Sequence, residues 1–265
     1  MKMRFYNGNG AILAVLMLLG LCNIACSKIA GNNAFMTEDT THITPPDTTY
    51  TTPPDTTTVT PPPPADTTHK RYLALGDSYT IGQSVAENER FPAQVAAVLL
   101  QDSIYFDTPE YIATTGWTTI NLQDAIAQRN PVGPYDAVTL LIGVNDQYQH
   151  LDTAGYSQRF AQLLQQAIAL AGNRKERVFV LSIPDYSVTP FGGGSATIRQ
   201  QVDAFNAINK RITLANNVAY INITEMSRLA ATDPTLIAGD GLHPSGKQYA
   251  MWVAALAPVM EKALK

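Results

Sequence analysis

The chain has 265 residues, with 18 Lys plus Arg against 22 Asp plus Glu and only two cysteines. It has no basic excess or Lys/Arg run suited to nucleic acid, and two cysteines cannot build a disulfide-rich scaffold. Composition also divides the chain unevenly: the first seventy residues do not read as globular, whereas 71–265 are enough for one well-buried domain.

In chain order, Lys2 and Arg4 precede the apolar run "AILAVLMLLGL" (11–21), which has signal-peptide length and is too short to span a bilayer. "CNIAC" follows, placing Cys22 and Cys26 at its end and leaving no thiol chemistry downstream. A positive start, a short apolar core and Cys26 after the small residue Ala25 resemble a bacterial lipoprotein signal. Asn23 departs from that motif, and bulky Leu21 makes Cys22 the weaker candidate. The resemblance implies lipidation at Cys26 and a protein exported to the cell envelope, lipid-anchored to a membrane without spanning it. An ordinary cleaved signal peptide, giving a secreted protein, is the competing reading.

Residues 27–70 turn to Thr, Pro and Asp, with "TPPDTT" at 44–49 and 52–57 and "TPPPPADTT" at 60–68. Such a segment cannot build an apolar core and is expected to be a disordered, polyproline-like linker. The repeated Asp-Thr-Thr resembles acceptor sites for bacterial O-glycosylation, with a sugar-free spacer as the alternative.

In 71–265, apolar runs bounded by turn residues recur at "RYLALGD" (71–77), "EYIATTG" (110–116), "DAVTLLIGVND" (136–146), "RVFVLSIPD" (177–185) and "VAYINIT" (218–224). Between them lie helical periodicities. Phe91, Val95, Val98 and Leu99 share one face after Pro92; Phe160, Leu163, Leu164, Ala167, Ile168 and Ala171 share another; Ile198, Val202, Phe205 and Ile212 mark a third. A final helix is announced by Ser245 with Gln248, a capping-box pattern, followed by the stripe Tyr249, Trp252, Val253 and Leu256. Several strands are apolar throughout, and strand and helix alternate. The expected fold is therefore α/β, a parallel sheet covered by helices on both faces. In such sheets ligands bind outside the carboxyl ends of the strands.

Four polar groups sit at those ends. Asp77 and Ser78 follow the first strand, Gly116 the second, Asn145 and Asp146 the third, and Asp240 to His243 precede the capped last helix. Each alone is an ordinary turn or cap. A serine hydroxyl needs a base to become a nucleophile, and neutral imidazole suits that work near pH 7. Residues 71–265 contain only His150 and His243. His150, in "DQYQHL", has no nearby motif and reads as a surface or pocket-rim residue. His243 lies three residues after Asp240, close enough for that carboxylate to take a hydrogen bond from one ring nitrogen and leave the other facing Ser78. Ser78 is the expected nucleophile, His243 the base and then acid, and Asp240 the orienting carboxylate.

"LALGDSYTIG", "TTGWTT", "LIGVND" and "DGLHPSG" together, in this order, resemble the four motif blocks of the SGNH (GDSL-type) hydrolase family across essentially all of 71–265. Tyr79 stands where the GDSL variant has leucine. The resemblance implies a three-layer, flavodoxin-like α/β/α fold on a five-stranded parallel sheet. It also implies an oxyanion hole made by the Ser78 and Gly116 backbone N–H groups and the Asn145 side-chain amide. Glycine at 116 suits close approach of a substrate. Asp77 and Asp146 read as structural turn or loop anchors. Trp117, Tyr186 and Phe191 are candidates to line the acyl or alcohol pocket, with ordinary packing as the alternative. "FGGGS" (191–195) reads as a flexible loop.

A G-x-S-x-G elbow and a phosphate-binding P-loop are absent from the sequence, and two separated histidines make no zinc site. The expected protein is a serine esterase acting through an acyl-enzyme, with no metal or cofactor. Its substrates would be small-molecule, lipid or glycan esters, with short acyl or O-acetyl groups favoured. A lipase or lysophospholipase, an acyltransferase on the same scaffold, and a surface binding module with a decayed triad are the competing readings.

Overall fold

The computed structural model describes residues 68–265. The signal-like segment, Cys22, Cys26 and the Thr/Pro-rich stretch through residue 67 lie outside the described residues. The chain runs β1 (Tyr72–Gly76), α1 (Ser78–Ile81), α2 (Phe91–Leu100), β2 (Glu110–Ala113), α3 (Thr119–Arg129), β3 (Ala137–Leu141), α4 (Val144–Tyr148), α5 (Thr153–Leu170), β4 (Val178–Leu181), α6 (Ala196–Ala215), β5 (Ala219–Ile221), α7 (Thr224–Arg228) and α8 (Gly246–Leu264). Each apolar run of the sequence contains one strand, shorter than the run because its polar end turns out of the sheet.

All five strands pair in parallel in the order β2-β1-β3-β4-β5. Every residue of β1, β3 and β4 is buried, while the edge strands β2 and β5 are partly open. Burial on both faces is why the central strands carry no polar alternation. The order also fixes the layers. The crossover from β1 to β2 moves one way along the sheet, and those from β2 to β3, β3 to β4 and β4 to β5 move the other. With right-handed connections, α2 covers one face and α3, α5 and α6 the opposite one. The packing agrees, because α8 returns to lie on α2 while α5 packs between α3 and α6.

The α2–α8 side is built on aromatic residues. Trp252 is fully buried, with its ring 4.9 Å from that of Tyr249 and 6.3 Å from that of Phe91. Truncating such a side chain costs about 3–5 kcal/mol. Ser245 caps α8 as the sequence suggests, its hydroxyl accepting from the Gln248 N–H at 3.4 Å. The reciprocal half of the capping box is not formed, because the Gln248 side chain is buried in the interior.

The direction of the chain reverses between β1 and β3, which is the switch point where this strand order opens a crevice. Ser78 leaves one lip of that crevice and Asn145 the other.

Candidate active site

Gly76 ends β1 because a Cβ there would come within 2.1 Å of Thr80 Oγ1 and 2.4 Å of the Leu141 carbonyl. Asp77 then caps α1, its Oδ1 accepting from the Tyr79 N–H at 3.0 Å. Ser78, the first residue of this short turn, is buried and lines a cavity of about 140 Å³. Gly116, Asn145 and His243 line the same cavity.

Gly116 has φ +82 and nothing within 4 Å of where a Cβ would stand. The glycine is needed for its left-handed backbone, and the space before it is the pocket itself. The turn it belongs to is held at both ends. Asn145 donates one amide hydrogen to the Trp117 carbonyl at 2.9 Å, which leaves the second hydrogen of that amide available. Asp146, fully buried, accepts from the Thr119 N–H at 2.8 Å, the Thr119 hydroxyl at 2.5 Å and Arg159 Nη2 at 3.2 Å. This carboxylate ties the start of α3 to α4, and so fixes the Gly116 turn against Asn145. Neither the Ser78 nor the Gly116 N–H donates to another group among the described residues.

On the other lip, Asp240 folds the turn that presents the imidazole. Its Oδ1 accepts from the backbone N–H groups of Leu242 and His243, both at 3.0 Å. Its Oδ2 lies 2.6 Å from His243 Nδ1 and accepts from the Ser84 hydroxyl at 2.7 Å. Burial alone would raise the Asp240 pKa, but these hydrogen bonds outweigh it and hold the carboxyl well below the usual carboxylate range. A carboxylate only accepts, so Nδ1 carries the proton and Nε2 keeps its lone pair. The Tyr79 ring packs at 5.0 Å and 54° against the imidazole. Ser78 Oγ makes no hydrogen bond among the described residues.

Asp77, next in sequence to Ser78, is in the opposite state. Burial pushes its carboxyl up to about 8, with the neighbouring Asp146 charge adding to the effect and backbone N–H groups opposing it. Its Oδ2 is buried with no partner.

Tyr186 and Phe191 line the pocket, whereas Trp117 does not. The Trp117 side chain packs partly buried against the core, and only its carbonyl reaches the site, through Asn145. His150 is exposed and lines a different concavity with Gln147 and Asp152. "FGGGS" is a stack of hydrogen-bonded turns and not the loose loop its composition suggests. Gly193 N–H reaches the Thr189 carbonyl at 3.0 Å, Gly194 N–H reaches the Ser187 carbonyl at 2.8 Å, and a Cβ on Gly192 would fall 2.0 Å from the Tyr186 carbonyl. Asp185 anchors the start of that loop by accepting from the Ser187 N–H at 2.9 Å and Arg228 Nε at 2.9 Å.

Sequence reasoning did not find Ser84 or Tyr148. Ser84 is 156 residues from Asp240 and sits in a loop with φ +67. Tyr148 is one helical turn beyond Asn145, which was the available signal for it.

Residues 74–251 match the family model described as the GDSL-like lipase/acylhydrolase family. The chain belongs to this family and is an enzyme of ester hydrolysis. Among solved structures, the lipase/acylhydrolase from Enterococcus faecalis shares 18% identity over 74% of this chain and 97% of its own, with a TM-score of 0.57. The lipase Lip_vut3 from a goat rumen metagenome shares 18% over 72% of this chain and 97% of its own, at 0.59. A variant of Axe2, an acetyl-xylooligosaccharide esterase from Geobacillus, shares 17% over 72% of this chain and 94% of its own, at 0.58. These likenesses establish the fold. The comparison with curated proteins found no match.

Proposed function

We propose that the chain is a serine esterase that hydrolyses short-acyl carboxylic esters through an acyl-enzyme. Ser78 Oγ attacks the ester carbonyl while His243 Nε2 takes its proton, and the Asp240 carboxylate stabilises the imidazolium that results. The tetrahedral oxygen is received by the Ser78 N–H, the Gly116 N–H and the second hydrogen of Asn145 Nδ2. Collapse breaks the bond to the alcohol oxygen, which leaves with the proton from His243. Water then attacks the acyl-serine as His243 takes its proton, and the acid and free Ser78 are restored.

The observation that carries this reading is the 2.6 Å contact between His243 Nδ1 and a carboxylate held ionised by its other donors, in a cavity shared with Ser78. The short-acyl preference rests on the size of that cavity. About 140 Å³ is close to the ~150 Å³ that holds one benzene, enough to receive a small acyl group. The test is hydrolysis of an acetyl-to-decanoyl ester series by the full chain and by Ser78→Ala, with folding of both checked by circular dichroism. Activity falling with chain length and abolished in the variant is the expected result. Ser78→Ala at wild-type turnover overturns the reading.

The sequence of the first seventy residues supports a further proposal, that the protein is exported and held at a membrane by acylation of Cys26. Metabolic labelling with palmitate, lost in Cys26→Ala, is the check.

A further inference from the structure

The alcohol half of the ester is left open by the chemistry of the triad. Two aromatic residues at the mouth of the cavity bear on it. Tyr148 and Phe191 are 51% and 55% exposed, although large apolar rings are ordinarily covered. Their ring centroids lie 5.9 Å apart with the planes tilted by 49°, so the two rings form a bent shelf. The buried Tyr186 supports it from beneath, 6.4 Å from Tyr148 and 6.2 Å from Phe191, and its hydroxyl donates to Gln147 Oε1 at 2.8 Å.

The shelf is joined to both halves of the site. Tyr148 ends the helix that carries Asn145, and the Phe191 N–H donates to the Gly241 carbonyl at 3.1 Å, inside the turn that presents His243. Both rings line the same open cavity as Ser78, so the alcohol half of a bound ester can rest against them.

The polar groups in and around the cavity narrow the ligand. No Lys or Arg lines the cavity, so nothing there would neutralise a phosphate on the alcohol half. The neighbouring side chains are neutral hydrogen-bonding groups. Thr115 donates to Gln83 Oε1 at 2.7 Å, leaving the Gln83 amide hydrogens available, and Gln149 Nε2 donates to the Gly116 carbonyl at 3.3 Å, leaving Gln149 Oε1 available. Aromatic rings in a cavity also lined by neutral hydrogen-bonding groups suit a ligand with an apolar C–H face and a hydroxylated edge. A pyranose ring has both, its C–H groups meeting the negative π-face while its hydroxyls reach the rim.

We infer that Tyr148 and Phe191 bind the alcohol half of the substrate and that this half is an uncharged sugar ring, so that the protein deacylates neutral glycans. The inference rests on the serine-esterase reading above and specifies its substrate class.

The experiment uses the full chain and measures acetate released from a mono-O-acetylated methyl pyranoside, ethyl acetate and hexyl acetate. Variants are Tyr148→Ala with Phe191→Ala, and Tyr148→Phe with Phe191→Tyr. In the wild type, kcat/KM for the pyranoside should exceed that for ethyl acetate. In the double alanine variant that ratio should fall by about tenfold, the scale of a lost aromatic contact. The ring-preserving pair should keep the ratio. A ratio unmoved by the alanines overturns the inference, as does a greater loss on hexyl acetate, which would make the shelf an alkyl surface. Both outcomes leave the esterase reading standing. A folded wild type that cleaves none of the three esters overturns both.

Discussion

The turn after β1 and the turn before α8 each place an aspartate beside the pocket, and the two carboxylates live in opposite surroundings. Asp240 accepts four hydrogen bonds, two from backbone N–H groups, one from Ser84 and one from His243, and stays ionised. Asp77 is more deeply buried, satisfies one oxygen with the Tyr79 N–H, leaves the other unpaired, and has a carboxyl pushed up to about 8. Sequence distance from Ser78 would have favoured Asp77. What separates the two charge states is the number of donors aimed at each carboxylate, and the proposed mechanism uses the one that stays ionised.

The sharpest way to break this contrast is to neutralise each acid in turn. Asp240→Asn keeps the shape of the turn but lets the amide impose the wrong tautomer on His243, and kcat should fall about 10⁴-fold. Asp77→Asn exchanges a carboxyl held largely neutral at pH 7 for a neutral amide. Its kcat should stay within about tenfold of wild type, since only a turn hydrogen bond of ordinary strength is altered. Equal losses in the two variants, measured by steady-state kinetics, would erase the distinction.

Asn145→Ala probes the opposite lip. Removing one oxyanion donor should lower kcat about 10²–10³-fold while the thermal midpoint shifts little. Ser84 gives a smaller effect. Ser84→Ala and Ser84→Gly both delete the second hydrogen bond to Asp240 Oδ2, and each should lower kcat about tenfold with KM little changed. The two diverge in stability, because glycine relieves the φ of +67 and alanine does not. A fall in kcat that followed the melting temperature and not the hydroxyl would make Ser84 a purely structural residue.

Stability against pH gives the subtlest separation, and the signs are opposite. The raised Asp77 pKa means that between about pH 4 and 8 the folded chain holds a proton the unfolded chain has lost, so this group destabilises increasingly as pH rises through that window. The lowered Asp240 pKa contributes stability that is present above about pH 4 and is lost as pH falls below it. Asp77→Asn should therefore gain stability relative to wild type from pH 5 to pH 8 in denaturant melts. A difference that is flat across this range would show that Asp77 is ionised throughout.

These contrasts also mark where sequence reading succeeds. Strands buried on both faces must be apolar throughout, so β1, β3 and β4 were visible as runs, and the polar residues that end them had to fall on one rim. Asp240 and His243 are legible because a three-residue spacing in a turn brings their side chains together locally. Ser84 is illegible because its partner is distant in sequence and serine is common in loops. Trp117 misleads for a related reason. Being next to Gly116 puts its backbone at the site, but the entry into α3 turns its ring toward the core. The glycine run 192–194 looks loose by composition, yet Gly192 has no room for a Cβ against the Tyr186 carbonyl and Gly193 and Gly194 take the positive φ that their hydrogen-bonded turns require.

The most direct measurement is the intact mass of the full chain after exposure to a fluorophosphonate, followed by peptide mapping, beside Ser78→Ala and Asp240→Asn. A single adduct on Ser78, absent from the first variant and formed far more slowly in the second, is the expected result. Rapid labelling elsewhere, or a Ser78 adduct that forms as fast without the Asp240 charge, would contradict the assignment of this serine, histidine and aspartate to one catalytic unit.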